Sequence, residues 1–324
     1  MFATHLHRRQ LLKGGLAASA ASAFGLPAFA AAPLAETQAP GFYRMTLGSL
    51  QITSLLDGYA PLTSEAFLGA PEGEIQAILE SVALGTDMPT AVQAYVINSG
   101  ERTYLVDAGT GASSAFGPTL GRVVANLEAS GITPDQIDAV ILTHAHTDHA
   151  EGLVDAEGNA VFANAEVVLH EAEHGFWLDD AALSQAPDAA KPLFESARKA
   201  LAPYAERTRL VTSGEEVFPG IVLEEAPGHT PGHSVLRVAS GDEQMLIAGD
   251  IMHNFAIHTA RPETGFGFDL DAEQAAQSRL RVFDMISADR MLIAATHMPF
   301  PSFGRVLADG DAYRWVPAEY VYDL

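Results

Sequence analysis

The chain contains no cysteine. No disulfide can staple it, no thiolate can bind a metal, and no thiol can act as a nucleophile. A bound metal would have to be held by His, Asp, Glu or water. Basic residues are also scarce: 18 Lys and Arg stand against 41 Asp and Glu, a net charge of −23. Such a surface repels phosphate backbones, so no nucleic acid partner is expected. Beyond the first 35 residues there is no long uncharged apolar run, so no spanning helix and no stable membrane anchor is expected there. No serine is displayed in a nucleophile-elbow motif either. Apolar residues, by contrast, make up 48% of the chain, enough for a full core.

The basic residues of the first 30 positions are Arg8, Arg9 and Lys13, with no acid among them. An uncharged run rich in Ala, Gly and Ser follows from Gly14 to Ala35, broken by Pro27. Ala28-Phe29-Ala30 has the small-x-small form of a signal peptidase site. Residues 1–30 therefore resemble a twin-arginine (Tat) signal peptide, which implies export and a mature protein that is periplasmic or secreted. Residues 31–41 read as a linker. Residues 42–324, with no repeat and no break in composition, read as one domain.

Strand-like alternation is expected at 43–47 and 51–56, with Asp57-Gly58 as a turn. A short helix is expected around 74–84, and a hairpin over 92–98 and 102–106. Residues 119–130 have an amphipathic helical pattern stopped by Gly131. Thr133-Pro134-Asp135-Gln136 has the form of a capping box opening another helix. Residues 139–143 form a buried strand ending at His144. Further strands are expected at 166–169, 221–225, 235–239, 245–248 and 291–295, with helical patterns over 171–206 and 271–287. Strands mixed with helices throughout imply a layered α/β or α+β fold.

Four candidate ligands lie within six residues, His144-Ala145-His146-Thr147-Asp148-His149. As the chain leaves the strand, His144 and His146 can face one metal while Asp148 and His149 turn toward a second. Imidazole and carboxylate are the usual nitrogen and oxygen donors for zinc. Three later donors each follow a strand: His229 in Pro227-Gly228-His229-Thr230-Pro231-Gly232-His233, Asp250 after Ala248-Gly249, and His297 after Ala295-Thr296. Loops gathered at one edge of a sheet are where such folds place ligands.

In this order, His-x-His-x-Asp-His, Gly-His-Thr-Pro-Gly-His, Gly-Asp and Thr-His resemble the signature of the metallo-β-lactamase superfamily. The resemblance implies an αββα sandwich, two mixed sheets flanked by helices, with two divalent metal ions at the rim, zinc foremost. It implies His144, His146 and His229 on the first metal, Asp148, His149 and His297 on the second, and Asp250 bridging. Asp107 would support the ligands, and His233 would be structural. His170, His174 and His258 match no ligand spacing and read as structural or surface residues.

The implied chemistry is hydrolysis by a hydroxide held between the metals, with Asp148 orienting it and taking part in proton transfer. The run Asp250-Ile-Met-His253, Arg261-Pro262, Phe268 to Ala276, Arg279 and Thr296 to Pro301 looks like the methyl parathion hydrolase branch. That branch implies a small-molecule substrate: a lactone such as an acyl-homoserine lactone, an aryl ester or a phosphotriester. Where compact acyl-homoserine lactonases carry Tyr, three residues after the bridging Asp, this chain has His253, a candidate to hydrogen-bond substrate or leaving group. Phe116, Trp177 and Phe194 fall where the branch places aromatic pocket residues, and its members are often homodimers. A thioesterase of the glyoxalase II kind and a non-catalytic metal-binding protein on the same fold remain open alternatives. In fractionated cells the protein is expected in the periplasm with its N-terminus near Ala31; recovery of the full-length chain in the membrane would overturn the export reading.

Overall fold

Side chains that alternate in direction along a strand decide the layers. In strand Asp87–Asn98, Ala94 and Val96 face one side, while Tyr95 and Ile97 face the other. Strand Ala139–Ile141 splits the same way, with Val140 on one face and Ala139 and Ile141 on the opposite one. Both faces are apolar, so both must be covered. The computed structural model describes Ala32 and residues 34–113 and 115–324. The signal segment expected over 1–30 lies outside the described residues, and the linker expected over 31–41 lies partly outside them. Residues Pro40–Leu324 form one compact unit. No helix among the described residues is long and apolar enough to cross a membrane.

Two seven-stranded sheets make up the unit. The first runs, edge to edge, Phe42–Leu47, Leu50–Thr63, Asp87–Asn98, Thr103–Val106, Ala139–Ile141, Glu166–His170 and Thr208–Val211. The second runs Ala312–Pro317, Phe303–Asp309, Leu292–Ala294, Glu243–Ile247, Ser234–Ser240, Ile221–Glu225 and Glu215–Phe218. Each mixes parallel with antiparallel pairs; the last four strands of the first sheet are parallel, as are Glu243–Ile247 and Leu292–Ala294 in the second. Between the sheets, Ile97, Val106 and Ile141 pack with Leu236, Val238 and Ile247. Outside the first sheet, Leu105, Val140 and Val167 meet Leu127, Trp177, Ala197 and Leu201 of the covering helices. Outside the second, Leu246, Ile293 and Val306 meet Val282, Phe283 and Ile286 of helix Ala272–Ala288. The result is the expected αββα sandwich. Each large aliphatic side chain fully buried in it contributes about 1.5–3 kcal/mol relative to exposure.

Local signals were overridden in three places. Asp57-Gly58 is no turn: strand Leu50–Thr63 continues through it, with a register shift between Leu56 and Gly58. The irregularity frees the buried Asp57 carboxylate to accept from Thr110 N (3.0 Å), Thr110 Oγ1 (2.7 Å), Arg122 N (2.8 Å) and Val123 N (3.1 Å). That grip starts the next helix late, at Val123–Ala129. The capping box at Thr133 forms but opens only the single 3-10 turn Pro134–Gln136, because Ile137 is already extended toward the next strand. The pattern over 171–206 breaks into helices Glu171–Leu178, Asp180–Gln185 and Lys191–Leu201 and the 3-10 turn Ala202–Arg207. Asp179 causes the first break: it is extended, and its side chain caps the new helix through Ala181 N at 2.8 Å. Asp57→Ala would leave the Thr110 and Val123 N–H groups and the Thr110 hydroxyl without their acceptor, and is expected to cost about 3–5 kcal/mol in a denaturant titration. A loss below about 1 kcal/mol would show that water replaces the carboxylate.

Candidate metal centre

All seven expected donors converge at one end of the sandwich. His144 stands three residues past Ala139–Ile141, and His146, Asp148 and His149 lie on or beside the short helix Thr147–Ala150. His229 follows Ile221–Glu225, Asp250 follows Glu243–Ile247, and His297 follows Leu292–Ala294. The two glycines of the Pro227–His233 stretch are steric requirements. A Cβ on Gly228 (φ 126°) would lie 2.0 Å from Ala275 N, and one on Gly232 would lie 2.2 Å from Glu173 N. The loop therefore passes directly over the first turns of two helices.

The donor spacing suits cations. His146 Nδ1 lies 3.1 Å from His144 Nε2 and 3.0 Å from His229 Nε2. Tetrahedral zinc with bonds of about 2.0–2.1 Å to nitrogen would set neighbouring nitrogens about 3.3 Å apart. A second group comprises Asp148, His149 and His297, with Asp148 Oδ2 3.5 Å from His149 Nε2 and 3.6 Å from His297 Nε2. Asp250 lies between the groups: Oδ2 is 3.1 Å from His229 Nε2, and Oδ1 is 3.1 Å from His149 Nε2. His149 Nε2 and Asp250 Oδ1 are buried without a hydrogen-bond partner. Buried orphan atoms aimed at one another are what a missing cation would satisfy. The residues present fit a pair of divalent ions.

The charges agree. Burial, then the neighbouring imidazoles, hold His144 and His146 well below the usual histidine range, leaving lone pairs free. Burial also opposes charge on His229, but Asp250 and Asp269 raise it to about 9. His149 is likewise raised against its burial by Asp250, Asp148 and Asp107. Burial opposes ionisation of Asp148, but His149 and His297 hold its carboxyl below the ordinary carboxylate range.

Four of the ligands, His149, His229, His297 and Asp250, are held from behind. Asp107, in the left-handed region at φ 59°, accepts from His149 Nδ1 (2.8 Å) and from Thr143 N (2.8 Å). Asp269 accepts from His229 Nδ1 at 2.8 Å, and the Ala91 carbonyl from His297 Nδ1 at 2.9 Å. Gln93 Nε2 donates to the carbonyls of Thr296 and Met298, on either side of His297. His233 donates through Nδ1 to the Ala226 carbonyl and accepts from Asp250 N at 2.9 Å, so it positions Asp250. Glu173, fully buried, accepts from Ala145 N, Trp177 Nε1, Thr230 Oγ1 and Gly232 N, tying two ligand loops together.

Five of the donors, His146, Asp148, His229, Asp250 and His297, line the foot of a cavity whose apolar wall includes Leu62, Phe116, Leu193, Phe266 and Phe268. A wider groove of about 870 Å³ shares Phe116, Leu193 and Phe268 with it and has Thr147, Glu151, Ser196 and Lys199 among its lining residues. Of the three expected pocket aromatics only Phe116 lines the cavity. Trp177 and Phe194 lie in the core behind it, 4.7 Å apart. The cause is an inward-facing pair on one helix: Glu173 and Trp177 are four apart, and the indole N–H donates to the carboxylate at 2.6 Å. Trp177 then sets its edge against His146, 5.5 Å away. His253 lines the cavity, but its Nε2 lies 3.1 Å from Asp250 Oδ2 and its Nδ1 is buried without a partner. It thus contacts Asp250 through Nε2 and keeps Nδ1 without a partner. His170 caps a helix through Ala172 N, His258 accepts from His253 N, and His174 is half-buried away from the donors. Gln93, Glu173 and Asp269 were not expected at the site's supports; only Glu173, an acid at helical spacing from a large aromatic, carried a sequence signal.

A paired His/Asp donor set at the rim of an αββα sandwich is the arrangement of binuclear metallohydrolases. The chain belongs to the metallo-beta-lactamase superfamily, whose sequence profile matches residues 87–297. It is similar to an N-acyl homoserine lactonase of Bacillus cereus, 24% identical over 224 residues, covering 64% of this chain and 80% of that protein. A solved structure described as hydrolase AbOPH in the beta lactamase superfamily is 33% identical and superposes with a TM-score of 0.82, over 88% of this chain and all of that one. AidC, described as a dizinc quorum-quenching lactonase in complex with a product, shares the fold at 24% identity and a TM-score of 0.80, over 87% of this chain and 99% of that one.

Trp177→Ala is expected to lower stability by about 3–5 kcal/mol in chemical denaturation and to weaken metal retention through His146. An unchanged stability with only a raised KM would return Trp177 to the substrate wall.

Proposed function

We propose that the chain hydrolyses ester-type bonds with two zinc ions, lactones foremost and acyl-homoserine lactones first among them, with aryl esters and phosphotriesters as further substrates. The observation that carries this reading is a seven-donor site at the foot of a small, apolar-walled cavity. The N-acyl homoserine lactonases among the relatives favour the lactone within that range.

When bound, a pair of divalent cations supplies hydroxide at neutral pH and polarises the carbonyl. Asp148, its side chain 14% exposed, is the donor best placed to handle the proton. In lactone opening, water adds to the acyl carbon and gives a proton to Asp148, the ring C–O bond breaks, and Asp148 passes that proton to the departing alkoxide. The product is a hydroxy acid. Phe116, Phe266 and Phe268 line the wall against which the apolar part of the substrate packs and from which it displaces water. His253 acts through Asp250, holding its Oδ2 at 3.1 Å, and is a positioning residue.

The test is turnover by metal-analysed protein of an acyl-homoserine lactone, a p-nitrophenyl ester, a methyl phosphotriester and a glutathione thioester, each with and without chelator. We expect two zinc ions per chain and chelator-sensitive turnover, highest kcat/KM on the lactone. His253→Ala should lower kcat/KM about ten- to a hundredfold while keeping both ions. Turnover of the thioester alone would move the reading to a glyoxalase II-like enzyme. Two bound ions with no turnover would make this a metal-binding protein without catalysis.

A further inference from the structure

The metal ligand His229 and the cavity wall meet on one carboxylate. Asp269 Oδ1 accepts from His229 Nδ1 at 2.8 Å, and Oδ2 accepts the backbone N–H of Phe266 at 2.7 Å. The Asp269 side chain is completely buried, so water does not compete for either bond. Phe266 lies on a two-residue ribbon, Gly265–Phe266, paired with Phe67–Leu68, and its ring stacks on His253 at 3.7 Å. Past Asp269, Leu270 N donates to the His229 carbonyl (3.1 Å) and Asp271 N to that of Gly228 (2.9 Å). The wall segment is thus sewn to the ligand loop by backbone bonds at one end and by Asp269 at the other.

The two bonds of Asp269 differ in what they respond to. With Nδ1 donating to Asp269, Nε2 is the His229 nitrogen that faces the cation site. A cation on Nε2 withdraws charge from the ring and makes Nδ1–H a stronger donor to the carboxylate. Strengthening one bond of a buried carboxylate narrows its motion, and with it the acceptor held out to Phe266 N. We propose that Asp269 is a positioning residue that links metal occupancy at His229 to the placement of the Phe266 wall. The wall is then set for substrate when the metal is in place. By reciprocity, a ligand that settles the wall tightens metal binding by the same factor. This inference rests on the two-metal reading of the site and not on which ester is cleaved.

The test compares zinc-loaded and chelator-stripped full-length protein by amide hydrogen exchange, with zinc affinity measured by chelator competition. In the wild type, zinc should slow exchange of the Phe266 amide at least tenfold. Asp269→Ala should lose that protection and weaken zinc binding ten- to a hundredfold. Asp269→Asn keeps an acceptor for His229 Nδ1 but turns an NH2 group toward Phe266 N. It should hold zinc affinity within a few-fold of wild type and still lose the zinc-dependent protection. The Leu270 and Asp271 amides, bonded to backbone carbonyls, should stay protected in both variants, which separates uncoupling from unfolding. Two bound zinc ions without zinc-dependent protection at Phe266 would overturn the coupling alone, as would full protection in Asp269→Asn. Absence of zinc binding would remove the coupling and the two-metal reading together.

Discussion

Ring nitrogens 3.0–3.1 Å apart, all turned toward one point, need a shared proton or a cation between them. The protein must hold them there beforehand, and the rim of the sandwich is built to do so. Asp107, Asp269 and the Ala91 carbonyl each accept the far N–H of one imidazole, fixing both its tautomer and its direction. Glu173 and Gln93 hold the backbone of the ligand loops, so that neither the rings nor the chain beneath them can relax apart. All of these groups are buried, which makes their loss costly and their hold firm.

The sandwich explains why such a set can be assembled from distant segments. Parallel strands end together, and loops leaving their C-terminal ends share one edge. The first sheet delivers His144 to His149, and the second delivers His229, Asp250 and His297. The core between the sheets, with Ile97, Ile141, Leu236 and Ile247 fully buried, fixes the distance across which the two loop sets face one another. Function sits on loops, but the accuracy of the site comes from strands.

What could be read from the sequence follows from this division. Strand alternation and the contiguous His144–His149 cluster are local patterns and were legible as such; the two-sheet layering and the full donor set followed from the resemblance carried by the order of the motifs. Of the supports, Asp107 was expected from the resemblance, but Glu173 and Asp269 were not: Glu173 to Gly232 and Asp269 to His229 are contacts across 59 and 40 residues with no spacing rule. Asp57 shows the same limit from the other side: Asp-Gly is a turn signal, yet four donors on distant backbone and Thr110 make a strand irregularity the better solution. Trp177 and Phe194 were placed on the cavity wall by position relative to the metal motif alone. The helix that carries Trp177 turns it inward with Glu173, one layer deeper.

The division of the donors between two sheets has a mechanical consequence. Four come from the first sheet and three from the second, and Asp250 reaches across to His149. Two stacked sheets can slide over one another, and apolar packing resists such shear without direction. A centre that rivets both sheets at one rim converts that weak resistance into a fixed register. Its coordination geometry is therefore a gauge of how the whole sandwich is stacked, and a methyl group added or removed in the middle of the core is felt at the rivet.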